Sequence, residues 1–285
     1  MQELHFDQYN DYTEIVQSHL KNVMSLINFR ARAIVLFAAL VMSFPFSAQA
    51  IVNVEQAIIG QPDEGVQTTL SLLANGASGN TENSSASAEM LSLWQHQEHT
   101  EFLQVQYAHG KSRGIVDTNR AFAHVRHRTS ISPGWAVEGF LQTGRDTFAR
   151  LAQRFLFGGG IRKVLFEQNG KAAGYLGFGA FREHETLNSL SGTTDSGSTQ
   201  VWRASTYLVL KYQVNEQVRL FNTTYYQPAM SETRDYRILD QAAILVKMGE
   251  NLDMKLSLDF SFDSRPPQGV RKKDIFYSTG LELSF

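Results

Sequence analysis

Apolar and polar residues alternate along much of the chain. In "DMKLSLDFSF", residues 253–262, every second residue from Met254 to Phe262 is apolar and the residues between them are polar. In "VWRASTYLVLKY", residues 201–212, a second alternating row runs from Trp202 to Tyr212. A period of two is typical of a β-strand with one apolar face and one polar face.

The same alternation predicts twelve strands. They lie near residues 66–74, 86–95, 101–109, 120–129, 134–144, 151–164, 172–183, 200–212, 217–227, 236–248, 253–262 and 274–285. A tilted strand of about ten residues spans the apolar band of an outer-membrane barrel, and an even strand number suits a closed antiparallel barrel. A soluble sandwich, with the apolar faces turned to a core, is the alternative.

The lengths of the connections favour the barrel. Those after strands 2, 4, 6, 8 and 10 are short, as in "SISPG", whereas those after strands 1, 7, 9 and 11 are longer and more polar, as in "DSRPPQGVRKK"; the one after strand 5 is tight. Short turns at one rim and longer loops at the other are typical of outer-membrane barrels. We therefore predict an all-β fold, a transmembrane antiparallel β-barrel of about twelve strands.

The N-terminal region predicts export. Two arginines, Arg30 and Arg32, precede the apolar run "AIVLFAALVM", and "SFPFSAQA" then places Ala48 and Ala50 in an A-x-A site. This order is that of a cleaved secretory signal peptide, and the run is shorter than the roughly 20 residues of a membrane-spanning helix. We assign residues 1–50 to an extension and signal peptide, with translation starting at Met24, and residues 51–285 to the barrel. An uncleaved anchor is the alternative.

The last residues, "YSTGLELSF", keep the alternation to the end of the chain. In a closed barrel the last strand pairs with the first, so that Leu281, Leu283 and Phe285 face lipid. The positions of Ser278, Gly280, Leu283 and Phe285 resemble the C-terminal insertion signal that the outer-membrane assembly machinery reads. The sequence thus predicts that machinery as a partner.

A family resemblance is carried by residues 119–163, "NRAFAHVRHRTSISPGWAVEGFLQTGRDTFARLAQRFLFGGGIRK". A basic strand is followed by a Pro-Gly turn, by Trp135, Phe140 and Gln142, and by Asp146 ahead of Arg154 and a glycine run. This order resembles the bacterial family of salt-induced outer-membrane proteins, a domain of unknown function, and "GASGNTE" at residues 76–82 extends the likeness. The resemblance implies an outer-membrane barrel of a Gram-negative bacterium and supplies no catalytic residue.

Composition narrows the set of partners. The 285 residues carry a net charge of −2 and no cysteine, which argues against a dedicated nucleic-acid binder and excludes disulfides and thiolate sites. His96 and His99 lie in a predicted turn without enough further ligands for a metal. We expect outer-membrane lipid and lipopolysaccharide as partners, no nucleic acid, no cofactor and no metal, and the oligomeric state stays open.

Charged residues on the polar faces are the candidate functional residues. The basic ones lie on strands 4, 6, 8 and 9 and are Arg126, Arg128, Arg154, Arg162, Arg203, Lys211 and Arg219. The acidic ones are Glu89, Asp259 and Glu282 on strands 2, 11 and 12. Opposed basic and acidic sides of a lumen would select ions as charged constrictions do, and the surplus of arginine indicates anions.

Three functions follow from these patterns. The first is a narrow, porin-like pore for small ions or solutes. The second is a closed structural barrel, because a barrel of about eight strands is filled and one of about sixteen carries a channel. The third is a lipid-modifying hydrolase, although His124, His127 and His184 cannot be paired from the sequence with a serine and an acid. We expect no enzymatic activity.

Overall fold

The computed structural model describes residues 64–77, 82–189, 191–192, 194–195 and 197–285. The signal peptide, its cleavage site at Ala48 and Ala50, and the domain boundary at residue 51 lie outside these residues and stay predictions. Within the described part of the chain, no helix is long and apolar enough to cross a membrane.

Twelve β-strands make up the described fold. They are β1 (Gly65–Ala77), β2 (Asn83–His96), β3 (His99–Ser112), β4 (Ile115–Ser132), β5 (Trp135–Asp146), β6 (Leu151–Gln168), β7 (Ala172–Leu187), β8 (Gly197–Gln213), β9 (Val218–Pro228), β10 (Tyr236–Lys247), β11 (Leu252–Asp263) and β12 (Lys273–Ser284). Each strand pairs antiparallel with the next along the chain, and β12 pairs with β1, so the sheet is a closed barrel. The predicted fold class and all twelve predicted strands are confirmed.

The connections fall into two sets, as predicted, with one exception. The inner rim carries residues 97–98, 133–134, 169–171, 214–217 and 248–251, together with the start of β1 and the end of β12. The outer rim carries the connections β1–β2, β3–β4, β5–β6, β7–β8, β9–β10 and β11–β12. The connection after β3 is shorter than the pattern indicated because the β3–β4 ladder continues through a register shift at Gly110 and Lys111. Backbone pairing there extends past the point where the side chains stop alternating.

The outward face of the barrel is apolar. On β8, Trp202, Leu210 and Tyr212 are exposed, whereas Arg203 and Lys211 are buried in the interior. Exposed aromatic residues lie towards both ends of the strands, among them Trp94 and Trp135 near the inner rim. An apolar band between aromatic residues, around a polar interior, is the arrangement that lipid requires.

The end of the chain completes the ring. The backbone N–H of Phe285 donates to the carbonyl of Thr68 at 2.8 Å, and the N–H of Thr68 donates back at 3.2 Å. Just before it, a Cβ on Gly280 would lie 2.1 Å from the carbonyl oxygen of Leu72, so glycine allows β12 to approach β1. The alternating C-terminus thus belongs to the strand that pairs with β1, and we call this junction of β12 and β1 the seam.

Deletion of Phe285 should impair closure, because both of its hydrogen bonds to Thr68 are lost at the seam. We expect slower assembly and a larger protease-sensitive fraction, measured by heat-modifiable mobility in gels and by protease digestion of cells. Phe285→Leu is the matched control, because it keeps the backbone bonds and an apolar side chain. Equal assembly of the deletion variant and of the control would contradict the prediction.

Candidate functional site: the charged lumen

Arginine and glutamate side chains from four strands meet near the outer rim. This outer cluster consists of Arg154, Glu183, Glu185, Arg203 and Arg237, all buried. Arg154 lies 2.6 Å from Glu185 and 3.4 Å from Glu183, and Arg203 lies 3.1 Å from Glu183. The guanidinium of Arg237 contacts Glu183 and lies 3.2 Å from Glu185. Because Arg237 is on β10 and the glutamates are on β7, these contacts reach past two intervening strands.

Two aspartates border the outer cluster. Asp235 lies 3.0 Å from Arg203, and Asp263 lies 2.8 Å from Arg237. Three guanidinium groups therefore face four carboxylates. Buried charges are tolerated only when they are paired in this way, since removing an unpaired ion from water costs several kcal/mol.

A second group of side chains joins β5 and β8 inside the lumen. The hydroxyl of Tyr207 on β8 donates to Glu138 on β5 at 2.6 Å. The other oxygen of Glu138 accepts from Nε of Arg128 at 2.6 Å, and Arg126 lies 3.6 Å away. A Cβ on residue 177 would lie 2.1 Å from the ring of Tyr207, so Gly177 leaves the space that this ring occupies. The glycine on β7 thus allows the tyrosine to reach across.

A third group lies where the barrel closes. The ammonium group of Lys255 on β11 lies 3.0 Å from Glu282 on β12, 3.2 Å from the hydroxyl of Ser71 on β1 and 3.7 Å from Glu89 on β2. The hydroxyl of Ser71 donates to Glu282 at 2.9 Å. One lysine therefore links four neighbouring strands around the seam.

Cation–π contacts hold further basic residues of the interior. The guanidinium of Arg162 lies 3.8 Å from the centre of the Tyr175 ring, and the ammonium of Lys211 lies 5.5 Å from the same centre. Arg120 on β4 lies 4.9 Å from the ring centre of Phe276 on β12, which is a contact across the lumen. Arg219 is less buried and pairs with Asp253.

Small cavities remain between these groups. One of about 40 Å³ lies beside Arg126, Glu138 and Tyr207. One of about 50 Å³ lies beside Arg154 and Arg237 under the connection between β11 and β12. One of about 20 Å³ lies beside Glu89 and Asp259. Such volumes hold a few water molecules at most.

The structure changes the expected separation of charge. Basic residues do predominate on β4, β6, β8 and β9, but acidic residues that the alternation alone did not single out, Glu138, Glu183 and Glu185, lie among them. These acids compensate part of the positive charge on that side, whereas Arg162 and Lys211 lie against the ring of Tyr175. The preference for anions stays a prediction. Arg237, Lys255 and Tyr207 were also missed. Each of the missed residues lies at an inward position of its strand. The alternation of inward and outward positions along each strand was therefore the signal that could have identified them.

The three strand histidines lie in different surroundings. His124 is buried in the lumen, with Nδ1 3.2 Å from Oε1 of Gln142. His184 lies on β7 at an outward position, half-buried. His127 faces outward near the inner rim, with Nδ1 3.0 Å from Glu101 and Nε2 2.8 Å from the hydroxyl of Thr129.

The hydroxyl of Thr129, the imidazole of His127 and the carboxylate of Glu101 follow one another in the order that hydrolases use. A hydrolase also needs a free hydrogen-bond donor for the oxyanion, and the nearest backbone donor is not free. The backbone N–H that follows Thr129, that of Ser130, donates to the carbonyl of Glu98 at 2.9 Å. It is thus occupied by a backbone hydrogen bond and is not available as an oxyanion donor. Among the described residues, no three His, Cys, Asp or Glu side chains are arranged to hold a metal ion.

These observations define the class of protein. A closed barrel of twelve strands with an apolar outer face and a charged interior is a bacterial outer-membrane β-barrel, and its outer face contacts membrane lipid. The chain belongs to the family described as "Protein of unknown function, DUF481", whose model matches residues 70–285. The predicted fold, location and membership of a family of unknown function are therefore confirmed, and the description of that family as salt-induced stays a prediction.

The chain is similar to several solved structures. The NanC porin is 10% identical and covers 76% of this chain and 98% of its own, with a TM-score of 0.45. The KdgM porin is 9% identical over 77% and 99%, with a TM-score of 0.40. The translocator domain of the autotransporter NalP from Neisseria meningitidis is 12% identical over 80% and 90%, with a TM-score of 0.42. No curated protein sequence matches the chain. Likeness at this level carries no conclusion about function.

Glu183→Gln should destabilise the barrel strongly, because it removes the one carboxylate that Arg154, Arg203 and Arg237 all contact in a buried site. We expect the free energy of unfolding to fall by about 3–5 kcal/mol, measured by urea titration of the refolded protein in detergent. Glu101→Gln is the control: its partner His127 is 54% exposed and Glu101 itself is 43% exposed, so about 0–1 kcal/mol should be lost. Similar losses for the two variants would contradict the stabilising role of the outer cluster.

Proposed function

We propose that the protein is a narrow pore for small ions, gated at its outer rim and closed in the conformation described here. The observation that carries the proposal is a polar bridge across the outer mouth. Beneath the bridge, the lumen is lined by ionised and hydrogen-bonding side chains with small cavities between them. A lining of this kind favours the passage of small charged species over apolar ones.

The bridge is built by three connections of the outer rim. Arg150, which ends the β5–β6 connection, donates to the carboxylate of Asp195 at 2.9 Å and to the carbonyl of Gln268 at 2.7 Å. The backbone N–H of Gln268 donates to Asp195 at 2.5 Å. We call residues 264–272, which carry Gln268, the lid.

The bridge spans the mouth because of where its ends are anchored. The β5–β6 and β11–β12 connections are separated by six strands in either direction around the ring. The lid must therefore extend over the opening to reach Arg150. The 50 Å³ cavity beside Arg154 and Arg237 lies directly under it, lined by Pro266 and Pro267 of the lid.

Opening the lid requires the loss of only a few contacts. Its hydrogen bonds to Arg150, Thr194 and Asp195 lie at the rim, where Arg150 itself is buried and Thr194 is exposed. Each hydrogen bond of this kind contributes about 0.5–1.5 kcal/mol, or about 1.5–3 kcal/mol when one partner is charged. The barrel ladder beneath is unaffected, so the lid is able to open while the barrel stays folded.

Arg150→Gln should open the pore, because the substitution removes the charged group that joins the three connections. We expect brief, small currents from the unchanged protein in planar bilayers and a roughly tenfold or greater rise in the ratio of open to closed time for the variant. Arg265→Gln is the control, since Arg265 is an exposed arginine of the lid that pairs with Glu232 at 3.4 Å. An equal rise in the control would contradict the role of the bridge.

The bridge should also release in acid. The backbone N–H of Gln268 first, and then the Arg150 guanidinium, hold the pKa of Asp195 below its ordinary value. The contribution of this carboxylate is therefore complete above about pH 3.9 and is lost as the pH falls through the lowered pKa. We expect open time to be constant from neutral pH to about pH 4 and to rise below it, with Asp195→Asn open at every pH. A rise centred at neutral pH would show that another group controls the lid.

A closed structural barrel is the second candidate, favoured by the two contacts that cross the lumen, Tyr207 to Glu138 and Arg120 to Phe276. If these contacts block passage, opening the lid changes nothing. The Arg150→Gln experiment therefore separates the two functions: silence of the variant, with normal folding and insertion, supports the closed barrel.

The proposal includes two partners. The outer-membrane assembly machinery would recognise the C-terminal positions Ser278, Gly280, Leu283 and Phe285, of which Leu283 and Phe285 lie on the lipid-facing side of β12. Lipopolysaccharide would surround the outer rim, where Arg271, Lys272 and Lys273 are exposed and able to meet its anionic groups.

A further inference from the structure

The cavity of about 20 Å³ near the seam is lined almost entirely by polar side chains. They come from strands β1, β2, β3, β10, β11 and β12, and the ones used below are Glu89, Gln104, Gln241, Lys255 and Asp259. A volume of this size matches about one water molecule or one bare ion. The convergence of six strands on so small a space makes the cavity part of the folded interior.

Two amide oxygens in this cavity have unused acceptor capacity. Gln104 is 0% exposed and its Nε2 donates to Glu89 at 2.5 Å, while Gln241 is 6% exposed and its Nε2 donates to Asp259 at 2.7 Å. Each amide nitrogen is thus committed to a carboxylate, which fixes the orientation of the amide. The remaining oxygens, Oε1 of Gln104 and Oε1 of Gln241, accept no hydrogen bond from any residue that the structure describes. Buried acceptors of this kind normally have a partner.

The charge around the cavity is negative. Three carboxylates, Glu89, Asp259 and Glu282, face two cations, Lys255 and Arg120. Lys255 is held mainly by Glu282 at 3.0 Å and lies 3.7 Å from Glu89. Arg120 is attracted to Asp146 as well as to Glu89 and Asp259, so it compensates them only in part. These five groups together carry a net charge of −1.

We propose that this cavity binds one monovalent metal cation, Na⁺ or K⁺, between the two amide oxygens and the carboxylates of Glu89 and Asp259. Oxygen ligands suit hard cations, and one positive charge balances the excess. A divalent ion fits less well, because no group of three His, Cys, Asp or Glu side chains in the described residues is arranged for a metal and because Lys255 lies nearby. The site does not require that the lumen conducts.

The test is the dependence of thermal stability on the identity of the cation. The mature protein, refolded in detergent, is melted in NaCl, KCl or choline chloride at equal ionic strength; choline is too large for the cavity. A ligand that binds only the folded state raises the melting temperature, by about 2–4 °C for each kcal/mol in a chain of this size. We expect a higher melting temperature in NaCl or KCl than in choline chloride.

Gln104→Met combined with Gln241→Met removes both amide oxygens at nearly constant volume and should abolish this difference. Gln227→Met is the control, because Gln227 is also 6% exposed and lies beside a different cavity. Equal melting temperatures in all three salts would mean that the cavity holds water only and would overturn the proposal. A difference that persists in the double variant would overturn it too, since the ion would then bind elsewhere.

Sodium-23 NMR of the unchanged protein keeps the proposal testable if the double variant does not fold. Protein-dependent broadening of the sodium line that K⁺ reverses supports the site, and its absence overturns it. Because these measurements are made in detergent without a membrane potential, they are independent of the bilayer currents. If the protein binds sodium but gives no current, the cation site is supported and the pore is contradicted. If the protein conducts but binds no sodium, the pore is supported and the cation site is contradicted.

Discussion

Every backbone N–H and C=O group of a strand in lipid must find its partner within the protein, and the rest of this structure depends on that constraint. An open sheet would leave two edges unpaired in hydrocarbon, at a cost of several kcal/mol per group. The pairing of β12 with β1, completed by the bonds between Phe285 and Thr68, removes both edges. The close approach at Gly280 serves the same end.

Closure of the barrel also buries charged side chains in the interior, and their charges must be compensated there. The inward face of each strand is polar, and a ring of twelve strands brings these faces together in a space with little water. The barrel satisfies the resulting charges by pairing them between strands, as in the outer cluster around Glu183, and by stacking them on rings, as Arg162 does on Tyr175. Tyr207–Glu138 and Arg120–Phe276 likewise join strands that are not neighbours, with two and three strands between them.

The outer rim and the seam differ in how firmly they are held. At the outer rim, the lid meets Arg150 and Asp195 through a few polar contacts, which suits a part that opens. At the seam, Gln104 and Gln241 are buried and tied to carboxylates, which suits a fixed binding site. A gate and a site at different depths of one lumen give the proposed pore two separate places at which ions are controlled.

The sequence by itself determined the strands, their number and which side chains face lipid, because a period of two is a local property that the strand geometry converts directly into two faces. The same parity predicts Arg154, Arg203 and Glu282 on the inward faces, and the structure buries all three. Only the tertiary structure decided which charges meet. Glu185 and Arg237 are separated by 52 residues, yet they lie 3.2 Å apart because the stagger of the strands around the ring brings them to the same depth. Pairing, the lid over the mouth and the cavity near the seam all depend on that three-dimensional register, which no periodicity within a single strand contains.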